Sequence, residues 1–564
     1  MIEVVGYFLA VIVIICMLFI VSTLRDNAKI KRRIERQWGK KSDKKYSKGE
    51  INDISKYFRN ISEHEKKKFF IDDTTWSDLD MDEIFKNLDT TYSTPGAEYL
   101  YAMLREPIYN DGELKYRNEI IEYFMRNPEK RKVVQYILGK LGIRRGVSVT
   151  DYFYNVNHCE HKYSLLNVYR ILRILPVISI ASMVVDLYAG VFLLITSCFI
   201  NIAVHYFFKN KLDYRLRDFA YIINIVRCAN SILKIQLEDL GQCICRLKNA
   251  AASVRKVKKF YFNLFNNGTD MSMLIEYKNI LFLTDLINYE KMGSMLEHKD
   301  EEFKSIYSIV GKIDSCIAIA SYRVMIKNYT VPKLHMYSDK KNRNIIIRDL
   351  VHPLIEGAVP NSLEIMGSIL ITGSNASGKS TFLKALALNI IFAQTIYTCT
   401  ASYFEGYYVK IYTSMALRDN VLAGESYYIA EIRSLKRIMD NAGGNMPAVC
   451  FIDEILRGTN TVERIAASSQ ILKYLTLDNC ICIAATHDIE LTYILENYFK
   501  NYHFQENIAD DEISFNYKIY RGRSTTQNAI KLLRILGYGD NIVNEAEGKA
   551  ALFLKMDCGE LKNS

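Results

Sequence analysis

The sequence predicts a chain in two parts. The first, to about residue 334, is all-α and carries apolar segments of membrane length. The second is α/β, a parallel sheet with helices on both faces. Three observations predict this. From about residue 335 short apolar runs alternate with helical stretches, the pattern of a parallel sheet. Upstream, apolar residues recur at three- and four-residue spacing, and the 564 residues contain only eight prolines to interrupt them. Two runs, Val4–Leu24 and Val168–Phe208, are apolar enough to cross a bilayer.

A length of 564 residues suits three or four domains. The net charge of +10 permits an anionic partner without naming one. Twelve cysteines are scattered. Cys243/Cys245 and Cys480/Cys482 form C-x-C pairs, and no C-x-x-C occurs. Neither a zinc pattern nor a disulfide framework emerges, which predicts a reducing compartment.

Val4–Leu24 has no charged residue. It opens on Met1-Ile2-Glu3 and runs into Arg25 with no small-residue cleavage site, so it reads as an uncleaved anchor rather than a signal peptide. Eleven Lys and Arg against three acids follow between residues 25 and 48. Such a block stays in the cytosol. It is placed to lie on anionic lipid, to act only as a solvated linker, or to touch DNA.

Val168–Phe208 read as one helix spans about 60 Å, twice the hydrocarbon thickness. It also buries Asp186 at a cost of about 3 kcal/mol. A hairpin meets both objections, with arms at roughly 168–185 and 188–208 and Asp186 at the outer turn. Arg170 and Arg173 then reach the cytosolic surface. A re-entrant loop or a buried helix pair is the alternative, since the first arm is short and holds Pro176.

Beyond Lys209, Phe219, Ile222, Ile223, Val226, Leu233, Leu237 and Leu240 mark one face of a long helix. Arg255–Lys259 is a basic cluster, most simply a solvated face. Thr330-Val-Pro332 breaks the helical pattern. The expected divisions are a transmembrane anchor at 1–24, a basic cytosolic linker at 25–76, a helical domain at 77–334 interrupted by the hairpin at about 168–208, the α/β domain at 335–550, and a tail at 551–564.

The α/β part is organised around Ile369–Thr381, ILITGSNASGKST. An apolar strand leads into Gly373, Ser374, Asn375, Ala376, Ser377, Gly378, Lys379 and Ser380, and Thr381 opens a helix. Strand, G-x-x-x-x-G-K-[ST] loop and helix together make a phosphate cradle. Backbone N–H groups and the helix N-terminus face the anion. Lys379 reaches the β- and γ-phosphates, and Ser380 ligates Mg²⁺. About 75 residues on, Val449-Cys-Phe-Ile-Asp453-Glu454 is a strand ending in two acids. Asp453 is placed to hold Mg²⁺ and Glu454 to orient or deprotonate the attacking water. A further strand, Ile481–Ala485, leads through Thr486 to His487, at the strand edge where open sheets keep ligands. ATP and Mg²⁺ are the cofactors this arrangement predicts.

The motifs in order resemble the MutS family ATPase. They are Val351-His352-Pro353-Leu354-Ile355-Glu356, Pro360-Asn361, ITGSNASGKST, FIDEILRGTNT and ATHDIELT. Upstream, Ser93-Thr-Pro-Gly-Ala-Glu-Tyr-Leu and Leu104-Arg-Glu-Pro107 look like the start of that family's helical core and lever domain. The likeness covers roughly 77–160 and 210–550. It implies a P-loop ATPase domain preceded by an all-α core and lever domain, to which the apolar runs add transmembrane helices, with catalysis by Glu454, His487 and Lys379, and nucleotide contacts from Val359 and Asn361. It further implies a homodimer in which Ser426 reaches the partner's γ-phosphate and Arg457-Gly458-Thr459 lies at the seam. Gly522 through Gly537 resembles the closing segment.

The likeness has gaps. No room is expected for a mismatch-reading or connector domain, and Phe504-Gln-Glu506 lies downstream of the motifs, out of place for the family's wedge. Ala358-Val359 stand where an aromatic stacks on adenine. The leading expectation is a membrane-anchored ATPase, multi-pass with its ATPase domain cytoplasmic, whose dimer clamps on ATP. Lipid, double-stranded DNA held by its phosphates, and a protein partner are the candidate contacts. A transporter motor is the alternative, although the Leu-Ser-Gly-Gly-Gln signature is missing. A tether that binds ATP without turnover is the other.

Overall fold

The computed structural model describes residues 2–144, 150, 154, 165–255, 271–337, 344–374, 377–415, 427–442, 444, 446–476, 479–509, 512–524, 530, 533–534 and 537–560. The chain forms two compact units. The first contains residues 1–68, 85–103 and 116–325, and the second residues 69–84, 104–115 and 326–564.

The first unit is helical. Its opening helix, Ile2–Gln37, runs on through the first half of the basic block, and residues 38–47 then connect it to the helix Lys48–His64. The part of the basic stretch up to Gln37 is therefore helical. Lys and Arg are good helix formers, and their stems pack while their charges find rings. Arg33 lies over Tyr92 with its guanidinium 5.0 Å from the ring centroid, and Arg131 lies over Trp38 at 3.3 Å. Lys44 Nζ meets Asp89 Oδ1 at 2.8 Å, both side chains buried, and Tyr46 and Thr91 donate to the same carboxylate.

The helix Thr94–Arg105 starts against the long helix Asp300–Ile326. Asp314, fully buried, accepts from the N–H of Tyr92 (3.0 Å) and of Ser93 (2.8 Å) and from Ser93 Oγ (2.6 Å). It thus satisfies N–H groups that a helix start leaves open. Burial lifts its pKa to about 6. The two helices touch backbone to side chain: a Cβ on Gly96 would stand 2.2 Å from Asp314 Oδ2, and one on Gly311 2.6 Å from the Pro95 carbonyl.

The second apolar region is a helical hairpin, Leu166–Ser182 and Leu187–Ile232. Asp186 sits at the turn and caps the second helix, accepting from Tyr188 N (2.9 Å) and Ala189 N (3.2 Å). The register is antiparallel. A Cβ on Gly190 would meet Met183, Asn201 Nδ2 donates to the Leu172 carbonyl at 3.1 Å, and Tyr169 faces Phe208 at 6.2 Å. The second arm does not stop at Phe208. No Gly or Pro interrupts it after Gly190, so it continues as one helix to Ile232. Among the described residues, one segment, Leu187–Phe208, is long and apolar enough to cross a membrane, with a mean hydropathy of 2.1. The first arm, 17 residues long with Pro176 inside, falls short of that length. Of the two expected hairpin arms, the second is the one that length and hydropathy support; most side chains of the expected crossing Val4–Leu24 lie outside those described.

Among its described residues the second unit contains ten strands: β1 (Lys333–His335), β2 (Ile345–Leu350), β3 (Asn361–Ile365), β4 (Ile369–Thr372), β5 (Tyr403–Tyr407), β6 (Lys410–Ser414), β7 (Ala448–Asp453), β8 (Cys480–Ala485), β9 (Lys500–Ala509) and β10 (Glu512–Arg521). Six form one sheet in the order β10-β9-β4-β8-β7-β6, parallel except for the antiparallel edge strand β10. Side chains alternate between its faces. Leu370, Cys450, Ile452, Cys482 and Ala484 pack with Leu435 and Ile438 of the helix Tyr427–Ala442 and with Leu472 of the helix Thr461–Tyr474. The helix Lys379–Gln394, buried along nearly its whole length, packs against β7 and β8. The other four strands make a separate mixed sheet, β1-β5-β2-β3, which the strand–helix alternation did not foretell.

Residues 69–84 and 104–115 are part of this second unit. Asp78 accepts from Thr413 Oγ1 at 2.7 Å and from Met415 N at 3.0 Å. Arg105 lies over Trp76 at 4.1 Å, and Lys384 Nζ meets Asp80 at 2.6 Å.

Candidate active site

The apolar register brings the expected residues to one edge of the six-stranded sheet. Strands β4, β7 and β8 are parallel neighbours, with Ile371 opposite Ala485 and Asp453 opposite Ala485. The residues that follow each strand therefore leave at the same edge. Beyond β4 comes the phosphate loop, at the end of β7 the acids, and beyond β8 His487.

The loop needs its glycines. Gly373 (φ +146°) and Gly378 (φ +104°) both hold left-handed backbone. A Cβ on Gly373 would stand 2.8 Å from the Phe504 carbonyl. Ser377 Oγ donates to Ser374 O at 2.8 Å and closes the turn. Lys379, 4% exposed, donates from Nζ to the carbonyls of Gly373 (2.7 Å) and Ser374 (2.8 Å). Burial pulls its pKa down to about 8, against the opposing pull of Glu454 and Asp453. Asn375 and Ala376 lie outside the described residues.

Asp453 is buried, and the Ser380 hydroxyl hydrogen-bonds its carboxyl. Burial pushes its pKa up and the adjacent Glu454 charge adds to that. Its Oδ1 finds no hydrogen-bond partner among the described residues. A buried carboxylate oxygen without a donor, beside a serine hydroxyl, fits a hard cation such as Mg²⁺. The residues expected to hold that ion are thus suited to it.

Glu454 follows β7 with a left-handed φ of +55°, and Leu456 repeats this at +56°. A side-chain-bearing residue pays for that conformation, and here it turns the carboxylate toward its partners. Oε1 lies 2.7 Å from His487 Nε2 and Oε2 lies 2.5 Å from Arg457 Nε. Burial works to raise the Glu454 pKa, but the His487 bond and the charges of His487, Arg457 and Lys379 hold it below the usual value. It is thereby kept as an ionised base.

A cavity of about 570 Å³ opens beside the loop. Ser374, Gly378, Lys379, Ser380, Thr381 and Glu454 line its loop side, and His352, Val359 and Asn361 the opposite side. His352 is neutral: burial, then Lys384, lowers its pKa to about 4, and its Nδ1 accepts from Leu354 N at 3.2 Å. Ser426 lies outside the described residues, as does most of the expected closing segment.

Sequence reasoning missed three members of the site. Tyr517 lines the cavity from a bulge between Phe515 and Ile519, at φ +54°. Asn361 clamps that bulge, donating to Tyr517 O and accepting from Ile519 N, both at 2.9 Å. The ring supplies an aromatic where Ala358-Val359 offered none. Glu506, buried on β9, accepts from Ser374 Oγ. Arg464 grips Asp488 through Nε (3.0 Å) and Nη2 (2.6 Å), one residue beyond His487. No sequence spacing marks a β-bulge or a pairing between distant loops. Only the Phe504-Gln-Glu506 triplet stood out, and for another reason.

A glycine loop between strand and helix, with metal-competent and water-competent acids at the same sheet edge, defines the phosphate-loop class of α/β nucleotide-binding domains. Residues 369–554 match the family model of MutS domain V. Two DNA mismatch repair proteins MutS, from Clostridium botulinum and Methanococcoides burtonii, are each 26% identical, over 46% and 52% of this chain and 29% and 34% of their own lengths. That of Methanosarcina acetivorans is 29% identical over 46% of the chain and 29% of its own length. Over residues 369–554 the chain is thus similar to the MutS ATPase domain, and over about half of its length to MutS proteins. It spans about a third of the length of the curated relatives it matches.

Proposed function

We propose that the chain is a Mg²⁺-dependent ATPase of the MutS type, working as a homodimer at a membrane. One observation carries the ATPase reading. Lys379, Ser380, Asp453, Glu454 and His487 come from three separate strand ends yet meet at one sheet edge. The loop N–H groups cradle the phosphates, and Lys379 exchanges its loop carbonyls for phosphate oxygens. Ser380 and Asp453 would hold Mg²⁺, which would supply charge neutralisation of the phosphates. Glu454, kept ionised, orients the attacking water and takes its proton, while His487 and Arg457 fix the carboxylate. Ser426 completes the partner's site in the dimer, as the family resemblance implies.

The membrane reading is supported by the hairpin surface. Val184 and Val185 are 89% and 91% exposed, and Phe192 and Phe199 70% and 72%. Contiguous apolar surface of this kind seeks lipid or a partner. The relatives' printed role in DNA mismatch repair supports duplex DNA as a partner, bound through phosphates and so weakened by salt.

Turnover by the detergent-solubilised full chain tests the core of the reading. Mg²⁺-dependent hydrolysis is expected, falling about 10³-fold in Glu454→Gln with ATP binding retained. Wild-type protein that binds ATP but never turns it over would leave a tether. Heteroduplex and perfect duplex both unbound at low salt would remove DNA. Recovery of the chain wholly in the soluble fraction would remove the membrane.

A further inference from the structure

The turn after β7 carries the proposed base, and its shape is not self-supporting. Glu454 and Leu456 are both left-handed with full side chains, so something outside the turn must hold them there. One anchor is the Glu454 N–H, which donates to the Ala485 carbonyl at 2.9 Å. The other is Glu431. Its Oε1 accepts from Leu456 N, and its carboxylate also receives the Arg457 N–H.

Glu431 belongs to the helix Tyr427–Ala442, which packs against β6 and β7. Leu435 and Ile438 fix that helix in the core. The Glu431 side chain is 3% exposed, and its Oε2 has no hydrogen-bond partner among the described residues. Two backbone N–H groups of the turn therefore end on one buried side-chain acceptor, and removing it would leave them unsatisfied. Here the charge faces the Arg457 guanidinium and opposes that of Glu454.

We propose that Glu431 is a positioning residue for ATP hydrolysis: it clamps the backbone of the 454–457 turn so that Glu454 meets His487 and Arg457 in the hydrolytic geometry. It does not line the cavity beside the phosphate loop and acts through the turn. The inference rests on the ATPase reading above.

The experiment compares wild type, Glu431→Ala and Glu431→Gln in the full-length chain. Steady-state turnover is read beside the affinity for a fluorescent ATP analogue with Mg²⁺. Glu431→Ala should lower kcat about 100-fold, the scale of a small misplacement of a catalytic group, with nucleotide affinity changed less than about threefold. Glu431→Gln keeps one acceptor for the turn and should recover at least about a third of wild-type kcat. Glu431→Ala with kcat within about twofold of wild type overturns the inference alone. So does parallel loss of kcat and affinity, which marks a collapsed fold, and so does Glu431→Gln as inactive as the alanine variant. A wild-type protein without Mg²⁺-dependent turnover overturns the ATPase reading and this inference together.

Discussion

Lys379 offers the most exacting test, because its environment sets a pH at which binding must change. Its ammonium is buried and held by two loop carbonyls, and its pKa falls from 10.5 to about 8. Phosphate oxygens favour the charged form and raise the pKa again. Binding ATP above pH 8 must therefore take up a proton. At pH 8.5 a group of pKa about 8 is about three-quarters deprotonated, so about 0.75 proton should enter per nucleotide. Above pH 8 the apparent Kd should rise about tenfold per unit, which is 1.36 kcal/mol. Stability carries the corresponding sign. The folded pKa lies below the unfolded one, so burial of the charged lysine destabilises the nucleotide-free protein below pH 8. That cost fades as pH rises from about 8 toward 10.5. Titration calorimetry at pH 8.5 in buffers of differing ionisation enthalpy reads the uptake directly. Lys379→Arg, charged throughout, should abolish it. Uptake below about 0.1 proton, or a Kd flat from pH 7 to 9.5, would show that Lys379 does not titrate in this way and that the reasoning from its burial is wrong.

Two further outcomes follow from geometry. Tyr517→Ala should raise the KM for ATP about two- to tenfold at nearly unchanged kcat, the worth of one aromatic contact of about 0.5–1.5 kcal/mol, while Tyr517→Phe stays near wild type; steady-state kinetics checks both. Gly96→Ala places a methyl 2.2 Å from Asp314 Oδ2. It should cost about 3 kcal/mol or more by breaking a buried hydrogen-bond network, read as a lowered denaturant midpoint of the full chain.

Much of the site was legible because its chemistry is local. Gly373, Gly378, Lys379 and Ser380 are fixed by the needs of one turn, and Asp453 and Glu454 announce themselves at the end of an apolar run. Their meeting required only that β4, β7 and β8 lie parallel and adjacent, which strand–helix alternation implies. Tyr517 was not legible, since it reaches the cavity through a bulge that no periodicity records. Glu431 and Arg464 were hidden for another reason: each acts on a neighbour more than twenty residues away through a contact that only the folded sheet creates. Charge after Leu24 says nothing against a helix, and the helical part to Gln37 was not legible from it. Arg33 of that stretch lies over Tyr92, and Trp38 receives Arg131, packing that long-range contacts alone create.

The helix Leu187–Ile232 extends about 70 Å at the usual rise, with its apolar half at one end and the buried residues Phe219 to Ile232 at the other. Lacking proline, and glycine beyond Gly190, it has no elbow. A tilt or thrust applied to the apolar end would arrive undamped among the core helices, as along a push-rod.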